Sequence, residues 1–266
     1  MIVKTNKTSI YLTNYNKSTV TPTLFLHGFT GSSKSWSFIN KDYKKFIYID
    51  IPGHGKSTFN DLNVKYSIND FINDLYIIIN DLQINKLNIL GYSMGGRLAA
   101  AFACKYPNMI DKLILESTSL GIEDYNKRII RYKKDKDLSN EISDNYSNFI
   151  NQWQNNSLFT HQEKRNKNAF IEQLNIREHQ NSNQISKSLE SFSIGSMEPL
   201  HDKFQNLTCK IYLINGNEDN KYIREGRLML RLNPKSIQYI INNSSHNTHI
   251  ENTEEFLYVA NNKILI

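Results

Sequence analysis

Between two apolar runs the chain reads Gly91-Tyr92-Ser93-Met94-Gly95-Gly96-Arg97, a serine with a glycine two positions before it and another two after. The run Leu87–Leu90 precedes it, and a small-residue stretch with Ala99, Ala100, Ala101 and Ala103 follows. That order predicts a strand, a tight turn and a helix, with the serine at the apex. Larger residues at 91 or 95 would strike neighbouring backbone, and the helix aims its N-terminal amides at the serine. A serine hydroxyl alone is a weak nucleophile and a weak base. It needs an imidazole to take its proton and a carboxylate to orient the imidazole. Two later loops offer these groups. Asp219 follows the run Lys210–Ile214, with Glu218 beside it as an alternative acid. His246 follows the run Ile237–Ile241, with His249 as an alternative base. An oxyanion would be held by backbone amides, here assigned to Phe29, in Leu26-His27-Gly28-Phe29-Thr30-Gly31, and to Met94.

Strands must bring these loops together, and the pattern supplies them. Candidate strands are 9–12, 23–26, 46–49, 87–90, 113–115, 210–214 and 237–241. Ile68, Phe71, Ile72, Leu75, Ile78, Ile79 and Leu82 recur at three and four, which predicts a helix over 67–82 capped by Ser67. A second helix is predicted over 94–106, stopped by Pro107. Alternating strands and helices make an α/β fold with a mostly parallel sheet covered on both faces. Loops beyond the carboxyl ends of such strands lie on one rim, where open α/β sheets bind ligands. The strand–turn–helix placement of the serine is that of an α/β-hydrolase fold, in which serine, acid and histidine follow in this chain order. Asp219 and His246 are then the preferred pair, and His27 and His54 are read as loop-bracing. From about 120 to 197 strand signals vanish and apolar residues take helical spacing. We read 1–119 and 198–266 as the core, and 120–197 as a helical lid inserted between two strands.

Composition narrows the classes further. In 266 residues, hydrophobic and charged fractions of 39% and 22% suit one water-soluble domain, and the net charge of +6 comes from scattered lysines. The longest basic cluster, Lys127 to Lys136, is interrupted by Asp135, and no nucleic-acid module is visible. No apolar run is long enough to span a bilayer, and the polar start lacks a signal core, so the cytoplasm is expected. Cys104 and Cys209 lack metal or redox spacing and read as buried thiols in a reducing compartment. No metal cluster, phosphate loop or dinucleotide fingerprint occurs, so no cofactor or metal is implied. The pattern carries no information on oligomeric state.

The segment Gly91 to Arg97, together with Leu115-Glu116-Ser117-Thr118-Ser119-Leu120-Gly121, resembles the 2-succinyl-6-hydroxy-2,4-cyclohexadiene-1-carboxylate synthases. These are the MenH-type lyases of menaquinone or phylloquinone biosynthesis. The resemblance runs from the His27 loop to Ser245-His246-Asn247-Thr248-His249-Ile250-Glu251. It implies elimination of pyruvate from a cyclohexene carboxylate bearing succinyl and enolpyruvyl groups, with the triad acting as base. A substrate with three carboxylates calls for cations. Arg97 sits in the first turn of a helix, where the macrodipole opposes it by a few tenths to about 1 kcal/mol, and an anionic ligand would offset that. The resemblance also assigns Tyr92, Arg131, Trp153 and Arg177 to substrate binding, with Arg128 a local competitor to Arg131. Only eight arginines occur against twenty-four lysines, and arginine is the better bidentate carboxylate partner. Leu120 stands where the family commonly has proline, and Ser245 where glycine usually precedes the histidine. The rival readings are a carboxylesterase or carbon–carbon bond hydrolase with the same triad, and a noncatalytic ligand-binding protein on the same scaffold.

Overall fold

The computed structural model describes residues 1–13, 20–39 and 46–265. Its strands are β1 (Ile2–Lys4), β2 (Thr8–Thr13), β3 (Thr23–Leu26), β4 (Phe46–Ile49), β5 (Thr58–Phe59), β6 (Leu87–Tyr92), β7 (Ile110–Glu116), β8 (Lys210–Gly216) and β9 (Ile237–Ile241). They form one sheet in the order β1-β2-β4-β3-β6-β7-β8-β9, with β5 paired to β2. From β4 to β9 every neighbouring pair is parallel, while β1, β2 and β5 add an antiparallel edge.

Side-chain alternation along the central strands splits the core into two layers. Leu24, Leu26, Ile89, Leu113, Leu115, Ile211 and Leu213 face one cluster. Their neighbours Phe25, Leu90, Ile114, Tyr212 and Ile214 face the other. Strands buried on both faces read as continuous apolar runs, which is why they were predictable without alternation.

The helices are α1 (Ile68–Asp81), α2 (Met94–Lys105), α3 (Tyr125–Asp144), α4 (Tyr146–Gln154), α5 (Gln162–Arg165), α6 (Lys167–Glu178), α7 (Ser182–Ser191), α8 (His201–Phe204), α9 (Asn220–Leu232), α10 (Thr248–Glu251) and α11 (Thr253–Val259). A capping box starts α1: the Ser67 hydroxyl accepts from the Asp70 amide, and the Asp70 carboxylate accepts from the Ser67 amide at 2.9 Å. Helices α3 to α7 lie between β7 and β8, with no strand among them. They have a small core of their own, built on Ile142, Phe149, Ile150, Ile185 and Leu189.

The pattern reading missed the three-residue β1 and the two-residue β5. It also stopped β7 short at both ends, where Asp111 and Lys112 before the apolar run and Glu116 after it are polar. Cys209 lies one residue before β8 and Cys104 within α2, and both are partly rather than fully buried. Ile129, an apolar residue of the insertion, is exposed, because α3 turns Asp135, Ser139 and Ile142 inward instead. Among the described residues no helix is long and apolar enough to cross a membrane.

Candidate active site

Ser93 sits between β6 and α2 with φ +51° and ψ −108°, a left-handed conformation that strains any residue other than glycine. The surroundings over-determine it. The Ser93 amide donates to the Glu116 carbonyl at 2.9 Å, and its carbonyl accepts from the Thr118 hydroxyl at 2.8 Å. A side chain at Gly91 would overlap the Gly95 carbonyl, and one at Gly95 would overlap the Leu26 and His27 carbonyls. The glycines of the motif are thus places where three backbone segments meet.

Beyond β9, His246 Nε2 lies 3.0 Å from Ser93 Oγ, and His246 Nδ1 lies 2.9 Å from Asp219 Oδ2. Asp219 follows β8 and caps α9, its second oxygen accepting from the Tyr222 amide at 3.2 Å. With Nδ1–H donated to Asp219, Nε2 is left free to accept the serine proton. The two residues weighed as alternatives are occupied elsewhere. Glu218 pairs with Arg165 at 2.5 Å. His249 donates from Nδ1 to the buried Glu116 carboxylate at 2.8 Å and lies against Trp36.

Among the described residues the Phe29 and Met94 amides are engaged in no turn or cap hydrogen bond, and both residues line the cavity that Ser93 also lines. The loop carrying Phe29 is braced by imidazoles. His27 Nε2 accepts from the Ile51 amide at 3.0 Å, and His54 Nε2 accepts from the Thr30 amide at 3.1 Å. Burial holds both rings below the ordinary histidine value, and for His54 the neighbouring His27 adds to the effect. Both stay neutral, as acceptors of backbone N–H must.

The cavity is about 110 Å³ and is lined by Arg97, Arg131, Trp153 and Tyr222 besides the triad hydroxyl and imidazole. Phe29, Tyr92 and Phe159 separate it from a recess of about 20 Å³ that holds Gln173, Arg177 and Asn247. Two larger clefts, of about 840 and 600 Å³, lie elsewhere and contain neither arginine nor a triad residue. Size therefore does not locate the site; its chemistry does.

A family model described as the alpha/beta hydrolase fold matches residues 21–253. A Bacillus subtilis (strain 168) protein, provisionally named a 2-succinyl-6-hydroxy-2,4-cyclohexadiene-1-carboxylate synthase, is 31% identical over 234 residues, covering 87% of this chain and 85% of that one. The chain belongs to the alpha/beta hydrolase family, in its MenH-type group. The synthase of that name from Enterobacter sp. (strain 638) is 25% identical, with 86% of each chain covered. The solved structure of MenH from S. aureus superposes with a TM-score of 0.84 at 26% identity, over 95% of each chain.

Within this MenH-type chain the cations are the most informative groups. Arg177 is 4% exposed, and Arg97 retains some exposure while its Nε is sealed from solvent. Among the described residues Arg97 Nε and Arg177 Nη1 have no hydrogen-bond acceptor, and neither side chain forms a salt bridge. The Arg97 guanidinium has one hydrogen-bond partner among the described residues, the Phe192 carbonyl at 3.5 Å, while Arg177 lies over the Phe159 ring. Burial pushes both guanidinium pKa values down from their ordinary range. Trp153 Nε1 is likewise buried and has no partner among the described residues. Arg131 differs, since its Nε donates to Asp135 at 2.8 Å and its side chain is partly exposed. Arg128 turns away, donating to the Ile122 carbonyl.

Tyr92 lines both spaces, and burial first, then the nearby Glu116, raise its pKa well above the ordinary phenol value. Burial also pushes Cys104 up to about 12 and Cys209 up to about 11, so neither thiol is poised to react. Sequence reasoning overlooked Asp135 and Tyr222. Asp135 looked like a break in a basic run, yet it is buried and accepts from Arg131 and from the Ser193 hydroxyl at 2.7 Å. The Tyr222 ring lies tilted against the His246 ring with centroids 4.5 Å apart, and its only signal was its place one helical turn after Asp219.

Proposed function

We propose that this chain eliminates pyruvate from 2-succinyl-5-enolpyruvyl-6-hydroxy-3-cyclohexene-1-carboxylate, giving 2-succinyl-6-hydroxy-2,4-cyclohexadiene-1-carboxylate for menaquinone or phylloquinone biosynthesis in the cytoplasm. The names of its relatives support this reading, and one observation carries it. Two largely buried guanidiniums that meet no carboxylate partner among the described residues flank a serine–imidazole–carboxylate relay. A buried cation with no counter-ion costs several kcal/mol in a folded protein, and a polyanionic ligand removes that cost. A neutral ester would leave both cations uncompensated.

In this reading Asp219 holds His246 in the tautomer whose Nε2 accepts the Ser93 proton. The Ser93 oxygen removes the proton from the ring carbon next to the succinyl carbonyl, breaking a C–H bond. The electron pair becomes an enolate whose oxygen is held by the Phe29 and Met94 amides, worth about 3 kcal/mol for each well-placed donor. Its collapse forms the ring diene and breaks the carbon–oxygen bond to the enolpyruvyl group. The departing enolate takes up a proton to become pyruvate. Arg97 and Arg177, with Trp153 and Tyr92, hold the carboxylates. Arg131, already paired with Asp135, is the weaker contact. The helical insertion acts as the lid that brings Arg131, Trp153 and Arg177 over the site.

The test gives purified protein the enolpyruvyl substrate and, separately, a simple aryl ester. Stoichiometric pyruvate and diene are expected from the first, with much slower turnover of the second. Ester hydrolysis without pyruvate would point instead to the esterase reading.

A further inference from the structure

Helix α3 shows apolar side chains to solvent and polar ones to the protein. Tyr125, Ile129 and Ile130 are 66%, 51% and 56% exposed, while Asp135 and Ser139 are buried beside Ile142. At 3.6 residues per turn the outward arc that holds Ile129 and Ile130 also holds Lys127, Lys133, Lys134 and Lys136. All four lysines are exposed, and among the described residues none of them forms a salt bridge. Asp135 breaks this basic run in the sequence but not on the surface, because it is turned inward onto Arg131 and the Ser193 hydroxyl. From 125 to 136 the outer face therefore carries no acid.

The acids of α3 stand in its second half, where Asp137, Glu141 and Asp144 are exposed. Two more precede the helix. The Asp124 carboxylate caps the Lys127 amide at 2.9 Å, and the Glu123 carboxylate lies 3.8 Å from the His201 ring. Within the helix this order of charges is the reverse of the stable one. The macrodipole favours acids in the first turn and bases in the last, whereas α3 has Lys127 and Arg128 in the first and Glu141 and Asp144 in the last. Neither packing nor helix stability accounts for such a face.

We propose that the outer face of the first three turns of α3 docks on an anionic lipid surface, its isoleucines entering the headgroup layer and its lysines meeting lipid phosphates. Both halves of the pattern fit that partner. Apolar area leaves water at the headgroup boundary, and each ammonium gains from the negative surface potential. The lysine stems are long enough for the charged ends to stay among phosphates while Ile129 and Ile130 sink. Nucleic acid or an acidic protein surface would use the lysines and leave the isoleucines in water. The acidic second half of the helix tilts away from the bilayer. Contact of this size is reversible, since it buries two or three side chains and not a spanning segment. The inference rests on the outside of α3 and is independent of what the active site turns over.

The test is co-sedimentation of the full chain with vesicles of phosphatidylcholine alone and of phosphatidylcholine with about 30% phosphatidylglycerol, at about 0.15 M salt. Binding to the anionic vesicles is expected to be about tenfold or more tighter than to the neutral ones. Lys133→Gln with Lys134→Gln should weaken it about fivefold for each lysine removed. Ile129→Ser with Ile130→Ser should weaken it about tenfold while leaving every charge in place. The control removes Lys210 and Lys235 as glutamines; both are exposed at the amino-terminal ends of β8 and β9, away from α3, and binding should persist. Every altered side chain is exposed, and the thermal midpoint of each variant confirms that it is folded. No preference for anionic vesicles in the unaltered protein overturns the proposal. So does an equal loss in the Lys210 and Lys235 control, which would mean that binding follows net charge alone. Full binding by the isoleucine variant overturns it as well, and assigns the face to a purely electrostatic partner such as nucleic acid.

Discussion

Arg177 shows how a single residue can trade stability for binding. Its guanidinium is enclosed, rests on Phe159 and meets no carboxylate among the described residues. Arg177→Met keeps the stem in place and removes the charge. Unfolding measurements should show the variant more stable by about 1 kcal/mol or more, because an uncompensated buried charge is gone. Steady-state kinetics should show kcat/KM lower by about 2 kcal/mol, roughly thirtyfold, as for loss of a desolvated charge contact. Lower stability together with unchanged kinetics would mean that Arg177 serves packing and not ligand. The positions 93, 97, 219 and 246 could be singled out from sequence because each residue type is unusual for its place: a serine between glycines, an arginine in the first turn of a helix, an acid and a histidine just past strands; position 177 was reached only through the resemblance to the family. Asp135 and Tyr222 could not. Their partners lie at 193 and at 246, and no local spacing announces contacts across such distances.

At the scale of elements, the turn between β6 and α2 is the joint on which the site depends. Gly95 lies where α2 crosses the end of β3, so close that a methyl group would enter the Leu26 and His27 carbonyls. Gly95→Ala should lower stability by about 1–3 kcal/mol through overpacking against backbone that cannot yield. It should also depress turnover, since the strand end it displaces leads directly into the Phe29 loop. Denaturant unfolding and kinetics on one preparation check both effects, and a neutral result in both would show that the joint is looser than its contacts imply. Most elements were legible for a simple reason. Strands β3, β4, β6 and β8 are buried on both faces and read as apolar runs, with Asn88 the one polar break within β6, and α1 places six buried apolar residues at helical spacing. Strand β1, exposed at both ends, and the two-residue β5 have no such signal. In the insertion the register of α3 was not legible, because its buried face carries Asp135 and Ser139 where an apolar stripe would be sought.

For the molecule as a whole, acid should be felt first at the loop that carries Phe29. His27 and His54 are buried and neutral, with pKa values held below the ordinary 6.5 chiefly by desolvation. The unfolded chain therefore binds protons that the folded one refuses. Their contribution to stability is complete above about pH 6.5 and is lost as pH falls from there through the depressed folded values. Thermal midpoints should drop in that window. His54→Gln, whose side-chain oxygen can still accept from the Thr30 amide, should flatten the drop; an equally steep fall in the variant would assign the acid sensitivity elsewhere. The proposed function turns on proton removal by Ser93 beneath a cationic lid, and one rapid-quench experiment addresses it. A single turnover is run with substrate carrying deuterium on the ring carbon beside the succinyl carbonyl, and the Ser93 peptide is weighed at each time point. Slower pyruvate formation from the labelled substrate, with the peptide mass unchanged throughout, is the expected result. Pyruvate formation indifferent to deuterium, accompanied by a covalent adduct on Ser93, would contradict it.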